Sequence, residues 1–471
     1  MRLRSLLNIW PLSGRARFVS MKEKITSTIT VIVVVLAIIS ASLVVSTSIV
    51  AAQSTPTAVI YVSVAGSDTA GNGSSTNPYA TISHAISAAP ANGATVIVAA
   101  GVYNEMINIT KPITLQSQSS QPANTIIDAT GKMYGVFVSG SAAAGTVIQG
   151  LTVENADNHG ILVQDTSNVI IMNNVIQHNG LNPTVCPEPP TPPSGPCIAE
   201  DKAIELVGTS NSVVASNLVS NNLADGGIGV SDDGQINPGA FTGGISNPAV
   251  GNVISGNTLT SNQGGCGVVV AAYNAGQGVA NNLVTGNRVV NGNAGIVIAA
   301  DTPHTSATNN TVTENTVIDN QLPGIIVHSN TPGDLVSGTI VMRNVVSGNG
   351  GFGPKPTGII LIGAFSPVQD TSISGNTVHS EYFGINVANA TGTIVLNNLI
   401  DSTVSVPLDG VALTQSPMAS TSADPIAPMQ PTPTEQTNSN DIVMYVGVGA
   451  LVLALIALVV ALTALRKRKT T

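Results

Sequence analysis

Four side chains carry the chemistry most open to this sequence: Asp232, Asp233, Asp301 and His328. Each follows a short β-branched run, Gly227–Val230, Gly295–Ile298 or Gly324–Val327, so all sit in loops that recur if those runs stack. Two carboxylates ~6.5–9.5 Å apart can hydrolyse a glycosidic bond with inversion, one protonating the leaving oxygen while the other activates water. At ~4.8 Å per stacked strand, the Asp232/Asp233 and Asp301 loops are expected two laps, about 10 Å, apart. Asp165 and His304 belong to the same loop series. The plainer reading is that Asp and Asn shape turns here. These oxygens can also hold Ca²⁺, although no ligand-spacing motif accompanies them; no other metal or cofactor is indicated.

Other reactive residues read as structural. His159, His178 and His379 stand alone and are expected in turns or at the surface. Cys186 and Cys197 bracket a Pro-rich insertion and are expected to form a disulfide, whose loop costs the unfolded chain ~3 kcal/mol of entropy. A metal pair would want a histidine beside them. This stiff, projecting loop is the best candidate for a partner contact. Cys266 precedes a strand and reads as a small buried residue. Asn72, Asn108, Asn309 and Asn389 open Asn-x-Ser/Thr triplets and are glycosylation candidates.

Composition narrows the class. Only 9% of the 471 residues are charged and 3% are aromatic, while glycine numbers 47, which excludes a mainly disordered chain. Ten of the 16 basic residues lie before position 25 or in Arg466–Lys469. The long middle keeps six, against every acidic residue except Glu23. That stretch, near −18, repels phosphate backbones and anionic polymers, so nucleic acid is not an expected partner.

The ends give an address. Basic residues up to Lys24 precede the apolar run 29–50, which closes on Val50-Ala51-Ala52, a signal-peptidase pattern; residues 1–52 read as a signal peptide, with Met21 an alternative start. An uncleaved anchor is the competing reading. Residues 442–465 lack any charge and would span ~36 Å as a helix, enough for a bilayer core. The basic tail 466–471 then stays cytoplasmic and everything before it faces outside. Residues 414–441, rich in Pro, Ser and Thr, read as a stalk.

The middle repeats. Ile or Val, two residues, Asn, one residue, then an aliphatic recurs around Asn174, Asn217, Asn257, Asn287, Asn315, Asn344, Asn376 and Asn398. The shortest step is 22 residues, between Asn376 and Asn398, and longer steps carry insertions. A second signature, such as Gly160-Ile161-Leu162-Val163 or Gly324-Ile325-Ile326-Val327, accompanies each. A unit this short, holding two or three strands, cannot cover its own apolar face and must stack on copies of itself. The spacing therefore predicts an all-β parallel β-helix over 146–413. Its asparagines hydrogen-bond from lap to lap and take left-handed bends, with glycines bending the chain before each strand. Residues 53–145 are expected to hold an N-terminal cap and the first coils. Within it, a helical segment 78–89 plugs the open core with Ile82, Ile86 and Ala89. The outward residues of the second signature, Leu162, Glu205, Gly229 and their equivalents, form no ladder of charge.

These motifs, with Tyr61-Val62-Ser63, Asn77-Pro78-Tyr79 and Gly101-Val102-Tyr103 of the cap, resemble the right-handed parallel β-helix proteins of the pectin-lyase-like superfamily. More specifically they look like NosD-like and other short-repeat surface proteins, over 59–413. The resemblance implies the fold more firmly than an activity, since that superfamily holds lyases, hydrolases, epimerases and non-catalytic surface proteins. Polygalacturonases of this fold carry Gly-His-Gly and Arg-x-Lys, and neither occurs here. The expectation is a membrane-anchored, extracellular, non-catalytic protein binding carbohydrate or envelope proteins. The alternative is a polysaccharide hydrolase or lyase using Asp232, Asp233, Asp301 and His328. A NosD-like accessory role in metal-enzyme assembly finds little support in so few His and Cys residues.

Overall fold

In a computed structural model of the chain, residues 58–119, 121–181, 202–223, 226–232, 247–262, 264–351 and 355–410 are described. Among them, three long parallel sheets form the walls of one solenoid. The A sheet runs through 12 strands from Val59–Val62 to Ile394–Leu396. The B sheet has 11, from Ile107–Ile109 to Val406–Asp409, and the C sheet 11, from Gly101–Tyr103 to Leu399–Ile400. Six short strands, Ala249–Val250 to Ala390–Thr391, add a narrow fourth wall to the later coils. One lap is visible in Ala294–Ala300 (B), Ser306–Thr308, Thr311–Thr313 (A) and Thr316–Ile318 (C), after which Ile325–Ser329 returns to B.

Why the laps register is clear from their interior. Ile171, Val214, Ile254, Val284, Val312, Val341 and Ile373 follow one another in the A sheet, each wholly buried. A one-residue slip would turn every one of them to solvent, at ~1.5–3 kcal/mol each. All eight predicted asparagines form one continuous ladder. Each side-chain amide donates to the next Oδ1 at 2.9–3.1 Å, from Asn174 to Asn398.

Two details differ from the sequence expectation. The left-handed bend falls on the residue before each ladder asparagine: Asn173, Ser216, Glu314, Arg343 and Asn397 have φ of 53–60°, and glycines fill the other laps. The ladder asparagine itself must keep its side chain inward and its N–H on the next Oδ1, so its neighbour takes the turn. Nor do the glycines before the B strands act as bends. A Cβ on Gly295 would lie 1.9 Å from the Gly324 carbonyl oxygen, and on Gly227 1.9 Å from that of Gly267. Glycine is there because successive laps approach too closely for a side chain.

Two further columns accompany the ladder. Five residues after its asparagines stand Asn179, Asn222, Asn262, Asn320 and Asn349, also buried and joined amide to Oδ1 within each run of adjacent laps. Five residues before stand Asn252, Asn282 and Asn310, linked in the same way.

The N-terminal plug is a single helix, α1 (Ile82–Ala88), shorter than the expected 78–89 but burying Ile82, Ala85 and Ile86, with Ala89 beside them. Thr81 caps it, Oγ1 accepting from the His84 N–H at 3.2 Å. The Glu105 carboxylate accepts from the N–H groups of Ile82 at 2.7 Å and Ser83 at 2.9 Å. Three of the orphan donors of the first turn are thus satisfied. The expected signal peptide, stalk, spanning helix and basic tail lie outside the described residues, as do Cys186 and Cys197. Among the described residues no helix is long and apolar enough to cross a membrane.

Candidate functional site

The loops that follow the B strands place the expected acids as follows. Asp232 and Asp301 end strands two rungs apart, because Gly226–Ser231 pairs with Cys266–Ala272 and that strand with Ala294–Ala300. Asp233 lies outside the described residues. Asp232 is fully buried, and its Oδ1 accepts from the N–H groups of Tyr273 at 2.6 Å and Asn274 at 3.3 Å. The Asn274 side chain donates back to the Asp232 carbonyl. This carboxylate clamps the loop of the next coil. Asp165 behaves alike, its Oδ1 accepting from the backbone and side-chain amides of Asn247, both at 3.1 Å.

Asp301 and His328 do come together. Their strands are adjacent, the Asp301 Oδ1 lies 3.5 Å from His328 Nδ1, and each side chain is about one-fifth exposed. Burial holds the Asp301 carboxyl above the usual carboxylate range; His328 opposes that rise and Asp334 adds to it. Asp334 is buried, its Oδ2 accepting from Thr331 N–H at 2.7 Å and Oγ1 at 2.8 Å. His304 lies against Gly333 on the same side.

His159, expected in a turn or at the surface, lies in the bend between Thr152–Glu154 and Ile161–Gln164, but it is buried rather than at the surface. Its Nδ1 is 3.0 Å from the Lys202 carbonyl oxygen and 3.5 Å from Glu205, and its ring stacks on Tyr134 with centroids 5.7 Å apart. Ser231 Oγ donates to Glu205 Oε1 at 3.2 Å. Lys202 and Glu205 are only 2% and 1% exposed, so a face expected to carry no ladder of charge holds a buried local cluster of it. Gly229 leaves the room, since a Cβ there would sit 2.8 Å from Lys202 Cγ. No strand spacing signals this cluster, because residues three apart, like Lys202 and Glu205, fall on opposite faces of a regular strand.

The four sequon asparagines, Asn72, Asn108, Asn309 and Asn389, are all exposed, though the Asn389 amide already donates to the Gly363 carbonyl at 2.7 Å. Cys266 opens its strand half-buried rather than sealed.

A recess of about 400 Å³ lies at the elbow where the A sheet turns into the C sheet. Gln116 and Gln149 line the A side, Val175 and Leu218 the C side, with Asn173, Ser216 and Pro122 around them. No carboxylate or cation lines it. Gln149 Nε2 donates to Gln116 Oε1 at 2.7 Å.

Comparison with known proteins agrees on architecture. Residues 113–312 match the family model described as a right-handed β-helix region, and 274–416 that of the periplasmic copper-binding protein NosD. No curated protein matches the chain. Among solved structures, the A-module of Azotobacter vinelandii mannuronan C-5 epimerase AlgE4 is 17% identical, covering 73% of this chain and 95% of that one, with a TM-score of 0.49. Pectate lyase Pel9A is 15% identical, covering 75% and 79%, with a TM-score of 0.46. The Streptococcus pneumoniae surface protein and adhesin PfbA is 13% identical, covering 70% and 94%, with a TM-score of 0.48.

Copper does not fit the described residues. Copper sites are built from converging imidazole and sulfur donors. Here no described group of three His, Cys, Asp or Glu side chains converges, and the pairs that do form, His328 with Asp301 and His159 with Glu205, each bring one imidazole to a carboxylate.

Proposed function

We propose that this chain, a right-handed parallel β-helix of the pectin-lyase-like superfamily, is a non-catalytic binding wall held outside the cell by the spanning segment 442–465. Its ligand is carbohydrate or another component of the envelope. The observation that carries this reading is Asp232. One of the three carboxylates singled out by sequence for acid–base work is buried and occupied in clamping Tyr273 and Asn274. A general acid or base has to reach the proton it transfers, and the Oδ1 of this buried carboxylate is engaged by the backbone of the neighbouring coil. An exposed wall with few charges, standing on a stalk, suits recognition rather than turnover.

A second reading keeps one observation in its favour. Asp301 and His328 are both partly exposed and lie 3.5 Å apart, and a carboxyl held above its ordinary range beside an imidazole suits one acid–base group of a polysaccharide hydrolase or lyase. Incubating the full-length protein with neutral and acidic polysaccharides, with and without Ca²⁺, separates the two. Retention of polysaccharide without shortened products supports the binding wall. Product release that disappears in Asp301→Asn overturns it in favour of the enzyme.

A further inference from the structure

The geometry points to the A/C elbow as the binding site for a linear, uncharged polysaccharide that lies parallel to the solenoid axis, one repeating unit to a coil. This rests on the binding-wall reading and names its ligand class.

The recess spans four coils and its lining carries amides, hydroxyls and aliphatic carbon but no ionisable group. Register extends it. On the A side Gln116, Gln149, Met172, Ala215 and Ser255 follow one another from rung to rung, all without charge. On the C side Thr152, Val175, Leu218 and Thr258 do the same, and the next rung brings Arg288. Further along, the elbow is crossed by the Arg343–Glu314 ion pair at 2.8 Å. The uncharged run therefore covers five rungs and ends at a charged boundary.

Three features select the occupant. Stacked rungs repeat every ~4.8 Å, so a linear polymer meets the same kind of surface at each step, as a compact ligand does not. The hydrogen bond from Gln149 to Gln116 leaves the Gln116 amide nitrogen as a donor group and the Gln149 amide oxygen as an acceptor for sugar hydroxyls. Leu218, 40% exposed, and Val175 offer carbon to the apolar face of a ring. A polyuronate would bring charge to an acidic chain at a site with no cation to receive it. A peptide would gain nothing by strand addition, since the strands beneath the recess, such as Ile170–Met172 and Val175–Gln177, are already paired on both sides.

The test uses full-length protein in detergent, titrated by calorimetry with β-1,4-linked oligomers of glucose and of N-acetylglucosamine and with polygalacturonate. Variants Gln149→Glu and Leu218→Asp alter the recess, Thr316→Asp alters the elbow beyond Arg288, and thermal melts establish that all three fold. The expected result is affinity that rises with length and levels near five units, no measurable polygalacturonate binding, and at least about a tenfold loss in each recess variant but not in Thr316→Asp. Unchanged affinity in both recess variants sinks the elbow while leaving the binding wall standing. Preference for polygalacturonate also sinks it. Failure to bind any glycan or envelope fraction sinks both. Release of shortened product, with KM raised in the two recess variants, keeps the elbow and removes the non-catalytic reading.

Discussion

Glu381 stands in the place of an asparagine: Asn349 donates its backbone N–H at 2.8 Å and its side-chain amide at 3.1 Å to Glu381 Oε1, closing the second column. The carboxyl is 3% exposed, and its Oε2 is buried with no hydrogen-bond partner among the described residues. Burial pushes its pKa up to about 7, with the Asn349 hydrogen bonds opposing and Asp319 reinforcing the rise.

A raised carboxyl pKa means that the folded chain binds this proton more tightly than the unfolded one. Stability from this site is therefore full below about 4.5 and is lost as the pH climbs to about 7. The change is up to about 3 kcal/mol. Glu381→Gln keeps an acceptor for Asn349 and removes the titration. Urea melts across pH 4–8 should show the variant flatter than the parent and more stable at pH 8; parallel curves would refute this.

The ladder asparagines should each matter more than their size suggests. Asn257 accepts from Asn217 and donates to Val214 and Asn287, all in a dry interior. Asn257→Ala strands several buried polar groups and should cost about 3 kcal/mol or more in chemical denaturation. A loss under 1 kcal/mol, as for a surface turn, would contradict the ladder.

Gly295→Ala tests close packing of the laps. Its Cβ would meet the Gly324 carbonyl oxygen at 1.9 Å and Val317 Cγ1 at 2.5 Å, and the Gly324 backbone has little room to yield. We expect loss of cooperative unfolding or a destabilisation of about 3 kcal/mol, whereas Gly351→Ala, with nothing within 4 Å, should be tolerated.

The Arg343–Glu314 pair, in which two guanidinium nitrogens meet the one oxygen Oε1 at 2.8 and 3.0 Å, is half exposed on both sides. A double-mutant cycle should give at most about 1 kcal/mol of coupling, falling with added salt. A larger, salt-independent value would mean that the pair is shielded.

Asp232→Ala should behave as a structural substitution. Loss of two amide contacts from a buried carboxylate predicts a destabilisation of about 2 kcal/mol, measured by melting. Abolished polysaccharide turnover at unchanged stability would instead make Asp232 catalytic.

By itself the sequence determined the solenoid, its inward aliphatics and the main asparagine ladder, because every lap repeats one local demand: a branched residue inward, an amide at the corner. Even the second column was legible, five residues after the first. Only the tertiary structure decided what stands outside that repeat. Laps differ in length by insertions, so residues as distant as His159 and Glu205, or Asp232 and Tyr273, meet only once the coils are stacked. Outward side chains answer to no buried period. Whether a loop carboxylate faces solvent or clamps the neighbouring coil therefore depends on packing that no local spacing encodes.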